Sequence, residues 1–241
     1  MRPVLQSSIP YDPSPDKALP GVQPLDPADW LIFDEAFAGQ MAARDALLRT
    51  HLSEVVAVDP DAHPAAVELL NMVLAQAYPD AKAEVTRADG VRVPIDRTQP
   101  MYTLGRLVQQ DFCILEKRGA EHVLTAAVLC FPASWTLSEK FLRPLTTIHD
   151  PVESYDTNIA RRVQRLFDGV RVGRPLWRYN VLRYADPALY QPRPEAAPRD
   201  RDDPAAGAYL RSERQSVLRL PLSDAVVFGI HTYVLARQDQ M

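Results

Sequence analysis

The spacing of apolar residues changes near residue 110 of the chain. Before that point, apolar residues recur every three or four positions in 27–52, 64–78 and 101–110, a period that predicts helices. Asp26 is a suitable N-cap, with Pro27 at the first helical position, so the first helix is predicted to begin there. The preceding tract, "IPYDPSPDKALPGVQPLDP", is predicted to run extended over the surface because its prolines remove backbone donors.

After residue 110 the pattern becomes that of a sheet. "DFCILEK" and "EHVLTAAVLCFP" are apolar, β-rich segments separated by a short turn, which predicts a hairpin. Two helical segments follow, "SWTLSEKFLRPLTTI" and "YDTNIARRVQRLFDGV", and then three strand candidates, "PLWRYNVLRYA", "YLRSERQSVLRLP" and "AVVFGIHTYVLA". The loop before the second of these strands is rich in proline and charge and is predicted to be exposed.

This order of elements predicts an α+β fold: an antiparallel five-stranded sheet with helices on one face, preceded by a helical N-terminal extension. It is the order of a PAS domain, although other α+β folds also begin with a hairpin. We therefore expect two regions. Residues 1–107 would form an extended arm and a helical region packed on the core, and residues 108–241 a PAS-like domain.

Composition excludes several classes of function. The 241-residue chain has a net charge of −4, which provides no basic field for nucleic acid. Its longest apolar run, "LTAAVLCF", is far too short to span a membrane, and the N-terminus lacks the apolar region of a signal peptide, so we expect a soluble cytoplasmic protein. The motifs of Rossmann dinucleotide sites, phosphate-binding loops, serine esterases and zinc peptidases are all absent.

Two of the five histidines occupy positions suited to chemistry. His149 follows an apolar helical series and precedes Asp150 and Pro151, where the helix must stop, so it could emerge between helix and sheet as an axial metal ligand. His231 lies inside the last strand. It is either a core histidine bonded to a neighbour or part of a ligand pocket, with Gly229 leaving space beside it.

The strand before it, "LRSERQSVLRL", raises a related question about charge. Arg214 shares a face with two leucines, and a buried guanidinium needs an anion or an acceptor. The candidates are Glu213, a cofactor carboxylate or a substrate oxygen. Alternatively, this is an edge strand with water on both faces.

Four ordered blocks carry a resemblance to a known family: "VQQDFCILEK", "LTAAVLCFPASWTLSEKFLRPLTTIHDPVESY", "VGRPLWRYNVLRY" and "LRSERQSVLRLPLSDAVVFGIHTYV". Over about residues 25–236 the chain resembles the heme-dependent oxidative N-demethylase family, α-subunit type. The resemblance implies a PAS-like domain that binds heme b and uses O₂ to remove a methyl group from a small secondary amine such as dimethylamine, releasing formaldehyde. The chain would then be a heme-dependent monooxygenase.

The resemblance also implies roles for particular residues. His149 would be the axial ligand of the heme iron, with His231 as second choice. Glu213 could hold the amine or take its proton, and Tyr155, Trp177 or Tyr179 could offer an aromatic face to the cationic amine. Trp177 is also expected to contact the cofactor. The other implied positions are cations near the heme propionates (Arg143, Arg161, Arg162) and polar groups on the open side of the iron (Arg214, Glu213, Tyr233, His231).

The chain has no flavin, iron–sulfur or nicotinamide motif of its own. The resemblance therefore implies separate reductase subunits, a flavin/iron–sulfur partner that passes on electrons from NADPH. The alternative is a non-catalytic PAS-type sensor or binding module that holds heme or another small ligand. A sensor usually carries an output element, and none is visible in this sequence, which favours the enzyme.

Overall fold

A seven-stranded sheet forms the centre of the protein, and a separate two-stranded hairpin lies beside it. In this computed structural model, which describes residues 3–13, 21–148, 157–197 and 207–236, every pairing between named strands is antiparallel. The strands are β1 (Gln23–Pro24), β2 (Val56–Val58), β3 (Glu84–Thr86), β4 (Arg92–Pro94), β5 (Asp111–Arg118), β6 (Glu121–Val128), β7 (Leu176–Tyr184), β8 (Tyr209–Arg219) and β9 (Val226–Ala236). Their order in the large sheet is β1-β7-β8-β9-β5-β6-β2.

The helices lie mainly before the sheet strands and between β6 and β7. They are α1 (Phe37–Thr50), α2 (Leu52–Val55), α3 (His63–Ala77), α4 (Pro100–Leu107), α5 (Leu137–Lys140), α6 (Leu145–Ile148) and α7 (Thr157–Gly169), with a 3₁₀ turn at Pro60–Ala62. Among the described residues, none of these helices has the length and apolar character needed to cross a membrane.

All five predicted strands form, as β5 to β9, and they are neighbours in the sheet. The sheet nevertheless has seven strands rather than five. Its two edge strands were not predicted because they contain only two and three residues, too few to show a period. β1 also lies within the proline-rich tract, where the second of its two residues, Pro24, tolerates an edge position.

The prediction that the first helix starts at Pro27 is wrong, because α1 begins only at Phe37. The Asp26 side chain does accept a hydrogen bond from the Ala28 amide, at 2.8 Å, but this closes a turn and not a helix. Trp30 and Leu31 are buried all the same, since they reach the core from these turns. Their apolar spacing therefore reports burial and not helical conformation.

The two faces of the sheet contact different parts of the chain. Side chains from α1, α3 and α4 pack on one face in a cluster that includes Leu69, Leu104, Phe112 and Val227, and we call this the extension face. The other face packs against α6 and α7, and we call it the helix face. Its apolar contacts are Cys113, Leu124, Leu145, Phe167, Val217 and Ile230.

Residues from both predicted regions share the apolar cluster of the extension face, so the N-terminal helices pack on the sheet. The boundary between residues 107 and 108 stays a prediction. Cys113 and Cys130 are buried free thiols, as expected for reduced core cysteines.

Candidate functional site

Strand β8 separates the predicted site residues, because successive side chains of a strand point to opposite faces. Glu213 points to the helix face, whereas Arg214 points to the extension face, where it pairs across the sheet with Tyr179 and His231. Tyr233 and Trp177 follow the same alternation and also lie on the extension face. A pocket beneath the helices would therefore contact Glu213 and not Arg214, His231, Tyr233 or Trp177.

His231 belongs to a buried polar network on the extension face. Its Nε2 donates a hydrogen bond to Asp34 Oδ2 at 2.9 Å, and Asp34 also accepts bonds from Gln109 (2.7 Å) and Gln6 (3.0 Å). The Nδ1 atom has no partner among the described residues. Of the two ring nitrogens of His231, only Nε2 is engaged in a hydrogen bond within the described residues.

Burial sets the charge of this pair. Burial lowers the pKa of His231, although the Asp34 carboxylate opposes that shift, so we take His231 as neutral. Burial by itself raises the pKa of Asp34, but the hydrogen bonds from His231, Gln109 and Gln6, together with the charge of His231 once acid protonates that ring, outweigh it and bring the pKa to about 2. Asp34 remains a carboxylate that accepts, and His231 a donor.

An aromatic cluster occupies the rest of this region. Tyr11 belongs to residues 3–13, which we call the N-terminal arm. Its ring stacks on Tyr179 at 4.7 Å between ring centroids, lies tilted against Trp177 and meets Tyr233 edge-on. Arg214 lies 5.1 Å from the Trp177 ring centre and donates to the Asp29 carbonyl at 3.0 Å. The acceptor that Arg214 was expected to need is therefore a backbone oxygen together with an aromatic face.

On the helix face, a buried carboxylate is surrounded by donors. Glu213 Oε2 accepts hydrogen bonds from Asn180 at 2.7 Å and from Gln215 at 3.2 Å. Glu213 Oε1 is 4.0 Å from the Arg211 guanidinium. Burial raises the pKa of the Glu213 carboxyl, against the opposing effect of Arg211. Because both hydrogen bonds go to Oε2, Glu213 Oε1 is the carboxylate oxygen that is available to a further donor.

Several atoms around Glu213 lack partners within the described ranges. They include Gln215 Oε1, Arg178 Nε and Thr232 Oγ1. Arg178 and Gln215 are directly paired residues of β7 and β8, so their side chains start side by side on the helix face. A buried polar group without a partner costs about 1–3 kcal/mol, and a ligand or a water molecule that supplies the missing bond would remove that cost.

The polar cluster adjoins apolar surface on the same face. Leu176 and Val217 occupy the next paired position on β7 and β8, and Phe228 lies beyond them on β9. Val217 is buried in the cluster that packs against α6 and α7, with Leu176 and Phe228 partly buried against it. The helix face therefore offers an apolar half and a polar half, the combination that a flat apolar cofactor with polar substituents requires. These residues fit a heme in that respect.

The predicted cofactor cations lie at the surface. Arg143, Arg161 and Arg162 are exposed, and the buried or half-buried arginines of the helix face on β7 and β8 are Arg178, Arg211 and Arg219. His149 lies outside the described residues. Just before it, the Ile148 carbonyl accepts a bond from buried Lys140 at 2.6 Å, which fixes the described end of α6.

The sequence interpretation missed Arg178, Asn180 and Gln215. The signal was available in "LWRYNVLRY", where Arg178 and Asn180 share a row with Leu176 and Leu182. The argument applied to Arg214, that an arginine beside leucines needs an acceptor, would have found Arg178. It would not have identified the facing Gln215, because the register of β7 against β8 is not visible in the sequence.

A cavity of about 590 Å³ lies elsewhere, among the ends of α1, α3 and α4. Arg49, His63 and Tyr102 are among its lining residues, and it contains none of the predicted site residues. None of its lining residues belongs to β7 or β8, so it is separate from the site on the helix face.

A comparison with protein families identifies the family of this chain. A family model described as "Haem-dependent oxidative N-demethylase, alpha subunit-like" matches residues 21–240, which is nearly the whole chain. That description names a heme-dependent oxidative N-demethylation and a subunit of a larger enzyme. Because the match extends from the proline-rich tract through the last strand, the chain belongs to the heme-dependent oxidative N-demethylase, alpha subunit-like family.

Proposed function

We propose that this protein catalyses the heme-dependent oxidative N-demethylation of a small secondary amine of the dimethylamine type. The observation that carries the proposal is the polar half of the helix face, where buried Glu213 lies beside Gln215 Oε1 and Arg178 Nε, two atoms without partners in the described chain. In the overall reaction the amine, O₂, two electrons and two protons give the demethylated amine, formaldehyde and water.

Heme b would lie between the helix face and helices α6 and α7, within a PAS-like arrangement of β5 to β9. Five adjacent antiparallel strands, with α6 and α7 on one face and the N-terminal helices on the other, support that arrangement. When bound, the heme would supply the activation of O₂. Val217, Ile230 and Phe167 would exclude water from its apolar side, since they are buried in one cluster.

Glu213 would bind the amine and take its proton. A secondary ammonium group carries N–H donors, and Glu213 Oε1 is the carboxylate oxygen without a close hydrogen-bond donor among the described side chains. Burial raises the pKa of this carboxyl, which brings it nearer to neutrality and suits it to exchange a proton with the substrate.

We propose His149 as the iron ligand, on the sequence argument. His231 stays second choice: ligation through Nε2 would break its hydrogen bond to Asp34, so only Nδ1, which has no partner among the described residues, could bind iron. Contacts of Arg143, Arg161 and Arg162 with the propionates stay a prediction. So does the action of Arg214, Tyr233, His231 and Trp177 near the iron, for which the separation of the two faces is a difficulty.

Electrons would come from a separate reductase subunit that contains flavin and iron–sulfur groups and uses NADPH, in the cytoplasm. The words "alpha subunit-like" in the family description support a partner of some kind. This chain would then supply the oxygen chemistry and the amine site, and the partner the reducing equivalents.

The test starts with an absorption spectrum of the purified protein before and after addition of hemin and then dithionite. We expect a Soret band that shifts on reduction, and formaldehyde release from dimethylamine when O₂ and an electron source are present. Glu213→Gln should retain the band and lose most of the formaldehyde release. A protein with no band after reconstitution would exclude the oxidative function. A band without turnover of any amine would favour the sensor.

A further inference from the structure

The two unpartnered atoms on the helix face require opposite bonding groups. Arg178 Nε is a donor and needs an acceptor, whereas Gln215 Oε1 is an acceptor and needs a donor. Gln215 is only 7% exposed, so water does not freely serve it. A ligand that fits both atoms presents an acceptor and a donor at neighbouring positions.

The charges around Glu213 indicate which acceptor this would be. Asp111 is paired with Arg44 at 2.6 Å, and among the described residues no carboxylate oxygen lies within 4.0 Å of the Arg178 guanidinium, which Glu213 stabilises only from a longer distance. A simple dialkylammonium ion would add a cation to this group and leave Arg178 Nε unbonded. A carboxylate would bond Arg178 and balance its charge.

We propose that the secondary amine bound by this site is an N-methylated amino acid, a zwitterion whose carboxylate bonds Arg178 and whose ammonium group bonds Gln215 Oε1 and Glu213 Oε1. This inference rests on the proposed function and refines its substrate class. The two charges of an α-amino acid are separated by one carbon atom, and Arg178 and Gln215 are side-by-side partners across β7 and β8.

The reaction balances with the same reagents as for a simple amine. One C–H bond of the N-methyl group becomes C–OH, using one oxygen atom of O₂, while the other oxygen leaves as water with two protons and two electrons. The C–N bond then breaks, formaldehyde leaves, and the nitrogen keeps the electron pair and a proton. The electrons come from the reductase partner of the proposed function.

The experiment is a calorimetric titration of the hemin-loaded protein with N-methylglycine, dimethylammonium chloride and sodium acetate in parallel. We expect N-methylglycine to bind about tenfold or more tightly than dimethylammonium, the effect of one charge-assisted hydrogen bond. Arg178→Gln should remove this preference by weakening N-methylglycine binding and leaving dimethylammonium binding unchanged. Arg183→Gln, an exposed arginine on the same strand, is the matched control and should change neither.

Equal or tighter binding of dimethylammonium by the unaltered protein would overturn the inference without any variant, and formaldehyde release from dimethylamine would then leave the proposed function in place. A second source of carboxylate is a heme propionate. If Arg178→Gln lowers hemin retention while the N-methylglycine preference persists, Arg178 serves the cofactor and the inference is wrong. A missing Soret band would defeat the proposed function alone, because the same titration on heme-free protein still measures the preference.

Discussion

Neighbouring residues Glu213 and Arg214 show how strongly the face of a strand determines the state of a side chain. Burial raises the pKa of Glu213 and lowers the pKa of Arg214, so both surroundings favour the neutral form. Hydrogen bonds from amide side chains stabilise the charge of Glu213, and a backbone carbonyl and an indole ring stabilise the charge of Arg214. The carboxylate keeps one oxygen for a ligand, whereas the described contacts of the guanidinium are within the protein.

The Asp34–His231 pair makes stability depend on pH. The folded pKa of Asp34 is about 2, below its usual 3.8, so its contribution of about 2 kcal/mol is present above pH 4 and lost as the pH falls towards 2. The lowered pKa of His231 has the same sign, because acid must charge a buried neutral imidazole. We expect the free energy of unfolding, measured with urea, to fall as the pH drops below 6.5, the ordinary pKa of histidine, and to fall again between pH 4 and pH 2, where Asp34 is protonated.

Asp34→Asn isolates the first of these effects. The amide can still accept a bond from His231 but cannot titrate, so the variant should lose about 2 kcal/mol less than the unaltered protein between about pH 5 and pH 2. Equal acid sensitivity of the two proteins would show that the Asp34 carboxylate is not the group responsible. Asp61→Asn, at an exposed carboxylate, is the control.

Gly229 is needed for close packing on the extension face. A Cβ atom at this position would lie 2.7 Å from Ser216 Oγ and 3.4 Å from the Phe112 ring. Gly229→Ala should therefore lower the free energy of unfolding by about 1–3 kcal/mol, measured by denaturant titration. The double variant Gly229→Ala with Ser216→Ala should recover most of the loss. Gly169→Ala, where nothing lies within 4 Å, should be close to neutral.

At the scale of elements, one arginine joins helix α7 to the sheet. Arg219, at the end of β8, donates to the Val170 and Phe167 carbonyls at 2.6 Å each, and so satisfies oxygens at the C-terminus of α7. It also bonds the Asp224 carbonyl in the β8–β9 turn at 2.8 Å. The helix end and the hairpin are therefore held by the same side chain.

Arg219→Met keeps the apolar stem and removes these bonds. We expect a loss of about 2 kcal/mol or more in the free energy of unfolding, since bonds from a charged donor are each worth about 1.5–3 kcal/mol. Hydrogen exchange of α7 amides should rise more than that of α3 amides. Arg165→Met, at an exposed position of α7, should leave both measurements unchanged. A uniform rise along the chain would contradict a local role for Arg219.

The elements that the sequence predicted well are those with a clear period. Strands β5 to β9 follow from apolar alternation, and α3 follows from its three- and four-residue spacing. The start of α1 was wrong because Trp30 is buried from a turn, which gives the same apolar signal as a helix. Edge strands β1 and β2 are defined by their pairing partners and not by their own residues.

The candidate site was predicted in part, for a related reason. Glu213 and His231 were identified because each lies in an apolar strand, and neighbouring residues of a strand necessarily face apart. What lies over each face is a matter of tertiary packing. Asp34, the partner of His231, is 197 residues away in the chain, and no local pattern connects the two.

At the scale of the whole molecule, the N-terminal arm completes the sheet. Beyond Ile230, β9 no longer pairs with β5, and Gln6 bonds the exposed backbone instead, giving and receiving hydrogen bonds with Val234 at 2.9 Å. Tyr11 adds a bond to Ser212 Oγ at 2.9 Å and its place among the aromatic rings. The arm therefore covers backbone groups that would otherwise be an open strand edge.

Deleting residues 1–13 should destabilise the whole protein and not only the arm. We expect a lower Tm, measured by circular dichroism, and greater self-association, measured by light scattering, since β9 would expose unpaired backbone groups. Gln6→Ala in the full chain should give a smaller change of the same kind. A truncated protein with an unchanged Tm and mass would show that the arm only rests on the surface.

The alternation along β8 limits how this chain can change its length. Arg211, Glu213 and Gln215 contribute to the polar half of the helix face, while Ser212 and Arg214 contact Tyr11 of the arm and the Trp177 ring on the extension face. One inserted residue inside the strand would exchange the two sets from that point onward, and both surfaces would fail together. Insertions in the preceding loop carry no such penalty. A longer or shorter loop can therefore leave both surfaces of the strand intact, whereas a register shift within β8 alters both of them together.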